Sequence, residues 1–194
     1  MTTIITQRAA IRTVLASAIL AVGLAATARA QEMPEMPKPT AEHEKLAQFA
    51  GEWTCDSTAN IPGMDEPMTC KGVEKSKLMG GFWYVAEGEA DMMGEKMASI
   101  MTIGYDPKAK QYVGTFVCDA GDYMWKYTGK FDDTGKKLIL STVGPSMMDP
   151  EAQVEYQEVL ELVDADHKTF TSSMKGDDGK WQEMMTMKYE RVKK

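Results

Sequence analysis

Residues 79–118 read MGGFWYVAEGEADMMGEKMASIMTIGYDPKAKQYVGTFVC, and this stretch decides the fold. Phe82–Ala90, Met97–Tyr105 and Gln111–Cys118 are each long enough for a strand and rich in aromatic or β-branched residues. Gly104-Tyr105-Asp106-Pro107 marks the tightest turn: proline fixes φ, and an aspartate can bond its own backbone two residues on. Gly80-Gly81 permits positive φ at the preceding corner. Connectors this short join antiparallel neighbours, because a parallel crossover needs a dozen or more residues. No apolar stripe of helical period can be drawn through so many glycines.

Working towards the N-terminus, period two continues. Trp53, Cys55, Ser57 and Ala59 alternate with the polar Glu52, Thr54, Asp56 and Thr58, so the odd set faces inward. Pro62-Gly63 reads as a turn centre. Pairing about it sets Cys55 opposite Cys70, Trp53 opposite Gly72 and Ser57 opposite Met68. Met68, Cys70, Gly72, Glu74, Ser76 and Leu78 then face inward, with Lys71, Lys75 and Lys77 outward. Before this hairpin, Thr40 is an expected N-cap for one short helix over about 40–50, with Glu42 and Glu44 in its first turn and Leu46 and Phe49 on one face.

Towards the C-terminus, Tyr123, Trp125, Tyr127 and Phe131 alternate with polar residues and Met124. Asp132-Asp133-Thr134-Gly135 turns the chain into Leu138–Leu140. Gly144–Glu151 reads as a loop. Val154, Tyr156, Glu158, Leu160 and Leu162 share a face; Thr169–Thr171 follows; and Trp181, Met185, Met187, Tyr189 and Arg191 share the last one. The expectation is an all-β fold: an antiparallel up-and-down barrel of about ten strands with one short N-terminal helix, closed because closure removes exposed edges.

The first 30 residues stand apart. Arg8 and Arg12 precede the apolar run Val14–Ala26, and Ala28-Arg29-Ala30 offers a small-x-small cleavage pattern, so 1–30 is expected to be a secretory signal and the protein periplasmic or secreted. The apolar run is short for a membrane span. Residues 31–39 (QEMPEMPKP) form an expected mobile Pro-rich arm, and 40–194 a single domain. Met33 and Met36 are soft enough for Cu(I), but two thioethers without a neighbouring histidine read as linker. Without the leader the chain has 19 basic against 29 acidic residues, a net charge of −10. Nucleic-acid phosphates and anionic membranes would repel it.

Gly51-x-Trp53 opening the first strand, with Arg191 in the last, resembles the calycins (lipocalins and fatty-acid-binding proteins), where such a tryptophan packs under a basic side chain. The resemblance implies a barrel-closing pair of Trp53 and Arg191. A second resemblance, to the bacterial family called domain of unknown function 1579, runs from His43 to Arg191. It rests on His43-x-x-Leu46 with Gly51-x-Trp53, Leu78-Met79-Gly80-Gly81, Gly104–Pro107 with Tyr112–Thr115, and Asp164-x-Asp166-His167-x-Thr169-Phe170. The chain departs from that pattern at Phe82, where a polar or basic residue is expected. The resemblance implies a calycin-like barrel and brings no activity with it.

Chemistry is sparse. Glu74 and Glu158 are the carboxylates that parity turns inward, suited to a raised pKa and so to an acid, a base or a ligand anchor; the alternative is a wet carboxylate or one paired with Arg191. Glu87 and Glu89 read as outward. Cys55 and Cys70 are a candidate disulfide, oxidised or reduced, with Cys118 left as a thiol. No C-x-x-C, H-E-x-x-H, G-x-S-x-G, P-loop or dinucleotide fingerprint occurs, and the two histidines, His43 and His167, lie far apart, so no metal site and no cofactor are expected.

Methionine is abundant, at 17 residues. Adaptable thioethers with aromatics suit a lumen that takes a small apolar or amphipathic molecule. The candidate lining is Glu74, Tyr84, Met97, Trp125, Tyr127, Glu158, Met185 and Met187. Three functions are carried forward in order: a ligand-binding barrel, a structural or interaction module with a filled core, and an enzyme using an inward glutamate.

Overall fold

A computed structural model describes residues 35–61, 63–92, 94–146, 149 and 151–193. Residues 1–30, expected to be a secretory signal, Met33, the expected turn residue Pro62 and Met93 lie outside the described residues.

Ten strands follow one short helical segment: β1 Gly51–Ala59, β2 Met68–Met79, β3 Trp83–Met92, β4 Glu95–Asp106, β5 Gln111–Cys118, β6 Trp125–Phe131, β7 Lys137–Pro145, β8 Gln153–Leu162, β9 His167–Lys175 and β10 Trp181–Arg191. Each pairs antiparallel with its sequence neighbours, and β1 pairs with β10, which closes an up-and-down barrel. Turn chemistry sets the corners. Asp106 Oδ1 accepts from the Lys108 and Ala109 amides at 2.8 and 3.1 Å, Asp132 Oδ1 accepts from the Lys137 amide at 3.1 Å, and Gly80 and Gly81 take φ of 61° and 78°.

The expected helix is divided. Thr40 caps α1 (Ala41–Glu44), and a 3₁₀ turn, Lys45–Phe49, completes the segment. The Thr40 amide donates to His43 Nδ1 at 3.1 Å, and the buried imidazole meets the edges of Phe82 and Tyr105. Tyr112 Oη donates to the Glu42 carbonyl at 2.7 Å. Leu46 and Phe49, both fully buried, point into the barrel like a stopper. The segment therefore closes one end, where β1, β3, β5, β7 and β9 begin.

Three sequence expectations are corrected. The β1–β2 hairpin pairs Cys55 with Gly72, Ser57 with Cys70 and Trp53 with Glu74, two residues from the expected register. The inward faces survive because a shift of two preserves parity. Cys55 and Cys70 become diagonal neighbours, for which Cα atoms lie roughly 7–8 Å apart, at or past the reach of a disulfide, and all three thiols are free. Burial pushes the Cys55 thiol up to about 12, so it is a poor nucleophile. Reductant is accordingly expected to leave the intact mass unchanged; a gain of two hydrogens on reduction would show a bridge. In β10, a bulge between Glu183 and Met185 turns Met184 inward and leaves Trp181 exposed on the outer face, contrary to its expected place on the lumenal one. β7 runs on to Pro145, through the start of the expected loop.

The lumen is not uniform along its axis. Near the helix, Tyr84, Ile103, Tyr112, Leu138 and Leu140 pack with Leu46 and Phe49 into a dry core. Towards the other end, Met68, Cys70, Ala90, Met97, Ser99, Met101, Phe116, Cys118, Met185 and Met187 face inward yet stay half-buried.

Candidate functional site

Two sets of polar side chains occupy the interior. The first lies under the helix. Lys168, on β9, is 0% exposed, and its Nζ donates to Glu74 Oε1 at 2.6 Å, to Tyr84 Oη at 3.2 Å and to the Phe49 carbonyl at 3.4 Å. Tyr84 Oη donates to the same Glu74 oxygen at 2.8 Å. The ammonium sits 4.6 Å from the Trp53 ring centroid and 4.7 Å from that of Tyr189. Arg191 lies 3.9 Å from the Trp53 ring, and its Nη1 donates to the Ala50 carbonyl at 2.8 Å. Gly51 makes room for that guanidinium: its φ is 148°, and a Cβ there would run into Arg191 Nη1. The Gly-x-Trp motif is thus the footprint of an arginine stacked on an indole.

Burial holds the Lys168 ammonium pKa below its ordinary value, against the opposing pull of Glu74. Burial, then the Glu74 charge, pushes the phenols of Tyr84 and Tyr189 well up. Glu74 is therefore paired, with Lys168 rather than Arg191, and Glu74 and Tyr84 belong to this closed, structural cluster. Lys168 escaped the sequence reading because a lysine beside a polar turn reads as solvated. The parity of Phe170 was the available signal: residues 168, 170, 172 and 174 all point inward.

The second set lies deeper along the barrel. Glu158, on β8, is 5% exposed and flanked on the ladders by Leu140 and Ser172. Ser172 Oγ donates to its Oε1 at 3.1 Å, while Oε2 is buried with no partner among the described residues. Thr142 Oγ1, one inward position along on β7, is likewise buried and unpartnered. Burial pushes the Glu158 carboxyl up to about 7, with the serine bond opposing it. Tyr127 is buried close enough to feel the Glu158 charge, and burial raises its phenol first. Trp125 stands edge-on to Tyr156 at 5.1 Å and lies over Gly144, where any Cβ would meet the indole. Tyr156 Oη donates to the Pro145 carbonyl at 2.7 Å.

The eight candidates thus divide. Glu74 and Tyr84 are locked to Lys168 at the closed end; Tyr127 and Glu158 are buried mid-barrel; Met97, Trp125, Met185 and Met187 line the half-exposed part. At the rim away from the helix, one concavity of about 630 Å³ is bordered by Asp56, Ser57, Cys70, Lys71 and Asp91 among others, and another of about 320 Å³ by Met92, Met97 and Asp119 among others. Most of the first one's lining, Asp56, Thr58, Thr69, Lys71 and Asp91, belongs to outward strand positions. His167 is exposed in its turn, its Nδ1 2.8 Å from Asp164. Among the described residues, no three His, Cys, Asp or Glu side chains gather as metal ligands, and no helix is long and apolar enough to cross a membrane.

A closed ten-stranded antiparallel barrel with an N-terminal helical stopper and an arginine on a first-strand tryptophan defines a calycin-like protein. The chain belongs to the family described as protein of unknown function (DUF1579), whose family model matches residues 38–191. Among solved structures, it is similar to the crystal structure of Rv2717c from M. tuberculosis, at 10% identity and a TM-score of 0.57, over 80% of this chain and 100% of that one. Weaker likenesses are to a redesigned β-barrel (13% identity, TM-score 0.35, 77% and 96% covered) and to EF1p2_mFAP2b bound to DFHBI (12%, 0.38, 78% and 100%). The first shares the fold; the other two carry no argument. No curated protein matches the chain.

Proposed function

We propose that this protein is an exported calycin-like barrel that carries a small apolar or amphipathic molecule in the part of its lumen away from the helix. The observation that carries this reading is Glu158: a carboxyl 95% buried in a methionine- and aromatic-lined interior, with one oxygen unpartnered. A buried polar atom without a partner costs about 1–3 kcal/mol, a cost that a ligand can remove. The half-buried Met97, Met101, Met185, Met187 and Trp125 supply an adaptable apolar wall. Export is supported by the basic, apolar and small-residue succession over 1–30. The charges of Lys71, Lys75, Glu87 and Glu89, all exposed, suit an outer wall in water.

Native mass spectrometry of protein purified without detergent tests the reading. A reproducible mass excess, lost on organic extraction and reduced in Trp125→Ala, is expected. A bare mass with no uptake of fatty acids or isoprenoids would favour the filled-core interaction module. A carboxyl titrating near 7 also suits proton transfer; recovery of the carried molecule in two chemical forms interconverted by wild type but not by Glu158→Gln would establish an enzyme.

A further inference from the structure

We infer that the carried molecule has a cationic, hydrogen-bond-donating head, of the primary-amine class, which docks between Glu158 Oε2 and Thr142 Oγ1 with its apolar body against Trp125 and the lumenal methionines. This rests on the lumen-binding reading and specifies its ligand. Among the described residues, two buried side-chain oxygens lack partners, and they sit on adjacent strands at diagonal inward positions: Leu140 pairs with Glu158, and Thr142 with Tyr156. Diagonal neighbours have Cα atoms roughly 7–8 Å apart, so one small head can reach both side chains. An ionised carboxylate accepts only, and a threonine hydroxyl can accept; an ammonium, with three donors, satisfies both.

The charge balance of the site points the same way. The inward ladder neighbours of Glu158 are Leu140 and Thr142 from β7, Phe170, Ser172 and Met174 from β9, and Leu160 and Tyr156 on its own strand, and Tyr127 from β6 feels its charge. None is cationic. The buried lysine of this barrel is committed to Glu74 at the closed end. A carboxylate-headed amphiphile would set like charges together or force a second carboxyl to stay protonated. An alcohol would satisfy one oxygen and leave the charge unmatched. Docked, the ammonium would favour the ionised carboxyl, so binding below neutrality releases a proton from Glu158.

The test is calorimetric titration of extracted protein at pH 8 with decylamine, decanol and decanoate, which share one chain length and differ in the head. Decylamine is expected to bind about tenfold or more tightly than decanol, as a charge-assisted bond warrants, and decanoate least tightly. Glu158→Gln should abolish the amine's advantage over decanol, and Thr142→Val should weaken the amine more than the acid. At pH 6 the amine's binding enthalpy should vary with buffer ionisation enthalpy in wild type and not in Glu158→Gln. Equal affinities for amine and alcohol, unmoved by Glu158→Gln, would overturn the amine assignment and leave lumen binding standing. Failure of all three probes to bind would remove the lumen reading, and this inference with it.

Discussion

Lys168→Ala is expected to destabilise the protein by about 3–5 kcal/mol, because it leaves the Glu74 carboxylate in the dry half of the barrel without its cation. Lys168 Nζ is joined to Glu74, Tyr84 and the Phe49 carbonyl, and stands beside the rings of Trp53 and Tyr189. Its removal therefore touches β1, β2, β3, β10 and the helical stopper together. Urea unfolding monitored by tryptophan fluorescence measures the loss. The loss should be coupled: the double variant Lys168→Met/Glu74→Gln should cost less than the two single changes added, by roughly 0.5–3 kcal/mol. A loss below about 1 kcal/mol in Lys168→Ala would mean that the pair behaves like an ordinary surface salt bridge.

Glu158→Gln is expected to act in the opposite direction, and only above mildly acidic pH. Its folded-state pKa is raised from 4.5 to about 7 by burial. Between those values the folded protein binds more protons than the unfolded chain, so stability falls as pH climbs through that window. Below pH 4.5 the carboxyl is neutral in both states and contributes no penalty; above 7 the penalty is complete, at about 3 kcal/mol. Glutamine cannot ionise, so the variant should be more stable than wild type at pH 8, by up to about 3 kcal/mol, and nearly equal to it at pH 4.5. Denaturant titrations of extracted protein at the two values decide it. A difference independent of pH would show that Glu158 reaches water in the folded state.

The strands were legible because this barrel wears its inside and outside on alternate residues: Trp53, Cys55 and Ser57 against Thr54, Asp56 and Thr58 needed no tertiary information. The Trp53–Arg191 stack was legible through a motif whose glycine is required by the arginine itself. The hairpin register was not, since the connection over 60–67 is long enough to place its centre one residue beyond Pro62-Gly63. Parity is blind to a shift of two, so the faces were right while the placing of Cys55 directly opposite Cys70 was not. The bulge in β10 carries no glycine or proline, and Trp181 consequently fell on the wrong face. Lys168 was hidden for a different reason. Its burial is made tolerable by Glu74, 94 residues earlier in the chain, and no local pattern encodes that partnership. Glu158 was legible as inward, whereas its lack of a second hydrogen-bond partner is a property of the packed interior alone.

Both ends of the barrel domain leave from the same side. The segment leading into β1 forms the stopper, and β10 finishes beside it at Arg191, whose guanidinium is bonded to the Ala50 carbonyl. The half-exposed lumen faces the other way. Anything joined directly before Thr40 or after Arg191, whether a purification handle, a surface tether or a second folded module, would therefore hold the barrel by its base with the mouth directed outward. Immobilised copies should present that mouth uniformly to solution, a practical advantage for any sensor built on this scaffold.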